Sequence, residues 1–134
     1  MNNEKDNVYD LVEDFYAHDE GWNTLLRQEY AEGFLRMEAW KGKKNSDLYR
    51  SWDNLTMLCL YLGSAETFLG DMNADDFIDC IAWCGRNISE FTPDYKNTQD
   101  FLETCDGLFK YLKGKNAISN DTVPATAAEI LLQE

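Results

Sequence analysis

Two glutamates spaced three residues apart could bind a metal ion. Glu29 and Glu32 form a Glu-x-x-Glu pair, and this spacing places both carboxylates on one face of a helix. A magnesium-dependent all-α hydrolase needs a second acidic pair on the next helix, because a hard cation takes several oxygen ligands. Asp47 and Asp53 lie too far from the middle of that helix to provide it. We therefore predict no metal site and keep the hydrolase built on Glu29 and Glu32 as the third functional hypothesis.

The four cysteines are a second group that could bind a metal ion. Cys80 and Cys84 are four residues apart within one predicted helix, and no turn signal between them indicates a zinc knuckle. Cys59 and Cys105 fall on the apolar stripes of two other predicted helices. Structural disulfides are uncommon in a reducing cytoplasm. We interpret all four cysteines as small buried hydrophobic residues.

No arrangement for nucleophilic catalysis or phosphate binding is recognisable. His18 is the only histidine, and it lies at the predicted end of a helix, where a histidine also interacts favourably with the helix dipole. A Ser–His or Cys–His pair would have to use it. Glycine-rich phosphate-binding motifs are absent. The sequence therefore predicts no catalytic residue and no cofactor.

Residues suited to protein contacts are easier to find. Four tryptophans are more than a small domain needs, and two of them flank the second predicted helix, where they could anchor an interface or pack in the core. A short basic loop interrupts the acidic chain, and the C-terminal segment is amphipathic. The interaction candidates are Trp22, Trp40, Lys43, Lys44, Ile130 and Leu131.

These residues are positioned by helices. Apolar residues recur with a period of 3.6 along nearly the whole chain, and no segment alternates as a strand does. We predict an all-α fold, a single irregular or orthogonal bundle of five helices in residues 1–115. Residues 116–134 form a polar connector and a short amphipathic helix.

Start and stop signals define the predicted helices. The first contains residues 8–16, the second runs over 23–41, and the third begins at Ser46 or Asp47 and closes at Gly70. Asn73 caps the fourth, which Gly85 ends. Thr92 is the predicted cap of the fifth helix, with Pro93 at the first helical position and Asp94 next, and this helix stops near Gly114. A Thr126–Glu129 capping box predicts a tail helix over 127–133.

Composition narrows the class of protein. The chain has 134 residues with 44% hydrophobic content, which is enough for one folded domain. Its formal net charge of −13 repels phosphate, so free nucleic acid is not an expected partner. The polar N-terminus resembles neither a signal nor a transit peptide, and no apolar run is long enough to span a membrane. We expect a cytoplasmic protein.

Part of the helix pattern resembles a known domain. Three parts are spaced as in a helical recombinase domain. They are the apolar residues Leu58, Leu62, Phe68 and Leu69, the segment 72–79, and the segment 101–112 followed by Gly114, Lys115, Ile118 and Asn120. Residues 48–121 are thus similar to the SAM-like core-binding domain of tyrosine recombinases and phage integrases. The resemblance implies a helical fold and a mobile-element origin. It carries over no functional residue, since this region is acidic rather than basic and no recombinase catalytic domain follows.

Three functional hypotheses follow. The first is a non-enzymatic helical module that binds another protein or a second copy of itself, with a homodimer as one form. The second is an acidic regulator that mimics nucleic acid and binds a nucleic-acid-handling protein. The third is the magnesium-dependent hydrolase described above.

Overall fold

The computed structural model describes residues 7–133, and these residues are 75% helical with no strand among them. The predicted all-α fold is confirmed. The described part of the chain contains a 3₁₀ turn at Leu69–Asp71 and seven α-helices: α1 (Val8–His18), α2 (Trp22–Leu25), α3 (Gln28–Trp40), α4 (Asn45–Ala65), α5 (Ala74–Asn87), α6 (Tyr95–Gly114) and α7 (Val123–Leu131).

The helix predicted over residues 23–41 is broken into α2 and α3, so that prediction was wrong. Leu26 has an extended backbone and a buried side chain, and its carbonyl oxygen accepts a hydrogen bond from the Tyr16 hydroxyl at 2.5 Å. The Asn23 side chain accepts from the backbone N–H of Gln28 at 2.8 Å, which satisfies one free amide at the start of α3. These two side-chain bonds compensate for the helical bonds that the break removes.

Helix α4 begins and ends earlier than predicted. Its N-cap is Lys44, so Ser46 and Asp47 lie inside the first turn and do not cap it. At the other end Glu66 adopts a left-handed backbone with φ of 56°, which stops the helix before Gly70. An αL residue after the last helical turn is a common helix ending, although glycine is the usual residue there.

The start of α5 agrees with the prediction. The Asn73 side chain accepts from the Asp76 N–H at 2.9 Å, and the Asp76 carboxylate accepts from the Asn73 N–H at 2.9 Å. This capping box satisfies two otherwise free amides. Gly85, however, does not end α5, which continues to Asn87. Gly85 instead lies close to Pro93, since a Cβ at Gly85 would lie 2.8 Å from Cγ of Pro93.

The last two helices also begin at different residues than predicted. Asp94, rather than Thr92, caps α6 by accepting from the Asn97 N–H at 2.8 Å, and α6 ends at Gly114 as expected. The predicted capping box at Thr126 is wrong, because Thr126 lies inside α7 and its hydroxyl donates to the Thr122 carbonyl at 3.1 Å. Helix α7 packs against α5 and α6 of the same chain and buries Val123, Pro124 and Ala127.

Helix α4 is the centre of the bundle and contacts five other helices: α1, α2, α3, α5 and α6. The core around it is rich in aromatic rings, among them Phe77 and Phe109, whose centroids lie 5.5 Å apart in an edge-to-face arrangement. The other fully buried phenylalanines are Phe34 and Phe101.

One polar network joins α4 to α6. The Asn54 side chain is only 5% exposed, and its Nδ2 donates to Asp100 Oδ2 at 3.1 Å and to Thr104 Oγ1 at 2.9 Å. The Thr104 hydroxyl in turn donates to the Asp100 carbonyl at 3.1 Å. Hydrogen bonds to a charged group contribute about 1.5–3 kcal/mol each. The network therefore fixes the register of α4 against α6.

Candidate interaction surface

Trp40 is the most exposed large hydrophobic side chain among residues 7–133, with 90% of its surface accessible. It is the last residue of α3, whose buried residues are Ala31, Phe34 and Leu35. At 3.6 residues per turn, Trp40 lies about 120–180° around the helix axis from those three. The inward-facing alternative for Trp40 is therefore wrong, because the helix presents this position to solvent.

The basic loop beside Trp40 contains one lysine bound within the fold and two that are not. Lys43 Nζ lies 2.7 Å from Glu38 Oε1 and donates to Ser51 Oγ at 3.2 Å, so it ties α3 to α4. Within residues 7–133, Lys41 and Lys44 are exposed and have no ion-pair partner. We call the group Trp40, Lys41, Lys43 and Lys44 the Trp40 corner.

A glycine shapes this corner. Gly42 has a φ of 106°, a region that side chains with a Cβ rarely adopt. Its N–H donates to the Ala39 carbonyl at 3.0 Å, and the Lys43 N–H donates to the Glu38 carbonyl at 3.0 Å. These bonds close the end of α3 tightly before α4 begins. Trp40 and the two unpaired lysines therefore lie close together in sequence, on a hydrogen-bonded turn.

Trp22, the second tryptophan candidate, is half-buried rather than free. Its ring stacks on Phe15 at a centroid distance of 4.7 Å, and Phe15 meets Trp52 edge-on at 5.3 Å. The Trp22 ring also packs beside Gly63 of α4. Trp22 thus fixes the short helix α2 against α1 and α4, so most of its surface is engaged within the chain.

The C-terminal candidates are divided by their burial. Ile130 is 51% exposed, whereas Leu131 packs against the hydrophobic core. Both belong to α7, which contacts α5 and α6, while Trp40 ends α3, which contacts α1, α4 and α6. The apolar candidates of the sequence therefore lie on three helices, α2, α3 and α7, and Ile130 is the exposed one on α7.

The two glutamates of the metal hypothesis have other partners. Glu29 Oε1 lies 2.7 Å from Arg27 Nη2, and Glu32 Oε2 accepts from Gln28 Nε2 at 3.0 Å. In the described range 7–133, no group of three or more His, Cys, Asp or Glu side chains is arranged to hold a metal ion. The geometry gives the hydrolase hypothesis no support.

All four cysteines are free and buried, which confirms their interpretation as core residues. Burial raises the pKa of the Cys59 thiol to about 12 and raises that of Cys105 well above its ordinary value. A hydrogen bond to Cys84, together with burial, also raises the pKa of Cys80. The thiolate is the reactive form, so these three thiols are poor nucleophiles.

His18 is placed as expected at the end of α1. It is exposed, and its Nδ1 lies 3.2 Å from the Asp14 carbonyl oxygen one turn earlier. This contact is local to the last turn of the helix. It provides no catalytic partner.

No family model, curated protein or solved structure matches this chain. The resemblance of residues 48–121 to the recombinase core-binding domain therefore stays a prediction. In the part of the chain that the structure describes, no helix combines the length and apolarity needed to cross a bilayer.

Sequence reasoning missed the Asn54 network. Asn54 and Asp100 are 46 residues apart in sequence, and nothing in the sequence links them. The available signal was Asn54 itself, a polar residue one position before Leu55 and four before Leu58 on the inward stripe of α4. Polar residues on such a stripe usually have a buried hydrogen-bond partner.

Proposed function

We propose that the protein is a non-enzymatic helical module of the cytoplasm that binds a protein partner through the Trp40 corner. The observation that carries the proposal is the 90% exposure of Trp40. A tryptophan buries up to about 150–250 Å² in an interface. At about 25 cal/mol per Å², that is about 4–6 kcal/mol before the costs of association. Tryptophan is also among the residues most enriched at energetic hot spots.

The charges beside Trp40 indicate the chemistry of the partner. Lys41 and Lys44 are exposed and unpaired within residues 7–133. A partner segment with an apolar pocket for the indole ring and carboxylates beside it would complement both features. Each surface ion pair contributes about 0.2–1 kcal/mol, so the indole provides most of the affinity and the lysines provide orientation.

Selection from a random peptide library tests this proposal. Wild-type protein is the bait, and the selected peptides are measured against Trp40→Ala and against the control Tyr95→Ala, which removes another half-exposed ring. We expect peptides that combine acidic and apolar residues, with affinity at least about tenfold lower for Trp40→Ala and unchanged for Tyr95→Ala. Peptides that bind Trp40→Ala as well as wild type would contradict the proposal.

A second copy of the chain is one form that the partner could take. Sedimentation equilibrium of wild type and Trp40→Ala at the same concentration distinguishes this case. A dimer that dissociates in Trp40→Ala identifies the partner as a second copy, since two-fold dimers are the commonest soluble oligomers. A dimer that survives the substitution would show that self-association uses another surface.

A second candidate function rests on charge. Within residues 7–133, only five carboxylate residues form ion pairs: Glu29, Glu38, Asp47, Asp106 and Asp121. With a net charge of −13, the uncompensated acid could occupy the basic surface of a nucleic-acid-handling protein. Such a complex should dissociate as salt rises, because exposed charges are screened beyond about 10 Å at 0.1 M salt. A complex anchored by Trp40 should persist.

A further inference from the structure

A groove between α4 and α6 is independent of the Trp40 corner and shares no residue with it. Its volume is about 470 Å³, within the range of small-molecule sites. Its polar lining includes Asp53, Asn54 and Asp100. Its apolar lining includes Met57, Ile88 and Phe91.

Asn54 lines this groove and has one acceptor without a donor. Its Nδ2 is oriented by two partners that can only accept, the Asp100 carboxylate and the Thr104 oxygen, whose own proton is donated to the Asp100 carbonyl. The carboxamide oxygen therefore points elsewhere, and it accepts no hydrogen bond from any residue in the range 7–133. Because Asn54 is 5% exposed and lines the groove, a donor on a ligand bound there would satisfy this oxygen.

The charge of the groove selects a cation. Three carboxylates line it, from Asp53, Glu90 and Asp100, against one guanidinium. That guanidinium, from Arg50, is directed at Asp47 outside the groove at 3.8 Å and forms no ion pair with the three acids. Partial burial raises the pKa of the Asp53 carboxyl above its usual value, and a bound cation would relieve that penalty.

We infer that this groove binds an alkyl chain ending in a guanidinium or primary ammonium group. Such a head is donor-only and matches acceptors on Asp53, Asn54 and Asp100. The alkyl chain lies against Met57, Ile88 and Phe91, as the stems of lysine and arginine do on apolar surface. The ligand is either a basic side chain of a partner protein or a free polyamine, since both present this chemistry.

Chemical-shift mapping with three probes tests the inference. The probes are N-acetyl-arginine methylamide, its neutral isostere N-acetyl-citrulline methylamide, and spermidine. We expect the arginine probe to shift the side-chain amide signals of Asn54 and Asn97, and the citrulline probe to leave them unchanged. Equal shifts with both amino-acid probes would overturn the inference, because the cation would then play no part. Tighter groove binding by spermidine than by the arginine probe supports a polyamine, and the reverse supports a partner side chain.

Two variants separate local recognition from attraction by the net charge. Asp53→Asn at the groove rim should weaken binding of the arginine probe about tenfold, the effect of one charged hydrogen bond. The matched control Asp79→Asn makes the same change of charge on exposed α5 surface outside the groove. Equal weakening by both variants would overturn the inference. Asp100→Asn provides a second groove variant. None of these three substitutions lies in the Trp40 corner, so a negative result here leaves the proposed function untouched, and the reverse also holds.

Discussion

A tryptophan in α4 is buried, whereas a tryptophan at the end of α3 is exposed. Trp52 is 4% exposed and packs with Phe15 and Tyr16 between α1 and α4, whereas Trp40 is 90% exposed and has no ring contact within residues 7–133. Both tryptophans lie at helical spacing from apolar neighbours. The difference arises because Trp52 is on the face of α4 that other helices cover, while Trp40 is on the outward face of α3. Burial of Trp52 stabilises the fold, and Trp40 contributes little to it.

Replacing each tryptophan by alanine gives the largest contrast. Trp52→Ala should lower the free energy of unfolding by about 3–5 kcal/mol, because it removes a large ring from the core. Trp40→Ala should change it by less than about 0.5 kcal/mol. Urea denaturation measures both. A loss above about 2 kcal/mol in Trp40→Ala would show that Trp40, like Trp52, stabilises the fold, and would contradict the contrast between them.

Alkaline pH should destabilise the α4 core, because the buried Cys59 thiol ionises at higher pH in the folded protein than in the unfolded chain. The pKa of Cys59 is raised from 9.0 to about 12 in the folded state. The folded protein therefore binds more protons than the unfolded chain between these values. This contribution is fully present below pH 9 and is lost as pH rises toward 12, at about 1.4 kcal/mol per pH unit.

The measurement is the free energy of unfolding from pH 8.5 upward. In Cys59→Ala this free energy should fall less steeply with pH, by about 1.4 kcal/mol per pH unit. In Trp40→Ala it should fall as steeply as in wild type. Burial also raises the pKa values of Cys105 and Tyr16, and a hydrogen bond to Cys84 raises that of Cys80, so these groups steepen the slope in the same direction. An unchanged slope in Cys59→Ala would show that this thiol ionises normally in the folded state.

Within the Trp40 corner itself, two lysines should differ. Lys43→Met removes the partner of the Glu38 carboxylate, which is mostly buried, and should lower the free energy of unfolding by about 1–2 kcal/mol. Lys44→Met should have almost no effect on folding and should weaken peptide binding instead. Thermal unfolding of the two variants provides the test. Equal destabilisation would mean that Lys44 also has a structural partner.

Alanine substitutions at two helical glycines should have the smallest effects on the free energy of unfolding, and these effects should have opposite signs. Gly63 of α4 has room for a Cβ, whose nearest atoms would be 3.7 and 3.8 Å away in Leu25 and Trp22, so Gly63→Ala should stabilise by about 0.5–1 kcal/mol. Gly85→Ala should destabilise by about 1 kcal/mol, because its Cβ would lie 2.8 Å from the rigid ring of Pro93. Stabilisation in both would show that Pro93 moves aside freely.

Local signals in the sequence predicted the features that depend on a few adjacent residues. The capping box of Asn73 and Asp76 is an example, since both partners lie within one turn. The all-α class and the burial of the cysteines followed from the 3.6 periodicity in the same way.

Features that depend on tertiary partners could not be predicted. The break between α2 and α3 requires the Tyr16 hydroxyl from α1. Gly85 resembles a helix stop until Pro93 is placed against it. Of the interaction candidates, Trp22 and Trp40 had equivalent signals in the sequence, and only the stacking of Trp22 on Phe15 separates them.

We propose that Trp40 serves a partner and not the fold. The most direct test is the affinity of one selected peptide for wild type, Trp40→Ala and Tyr95→Ala, with the free energy of unfolding measured on the same samples. We predict that Trp40→Ala lowers the affinity at least about tenfold while its free energy of unfolding stays within about 0.5 kcal/mol of wild type, and that Tyr95→Ala binds as wild type does. Undiminished affinity in a folded Trp40→Ala protein would contradict the claim.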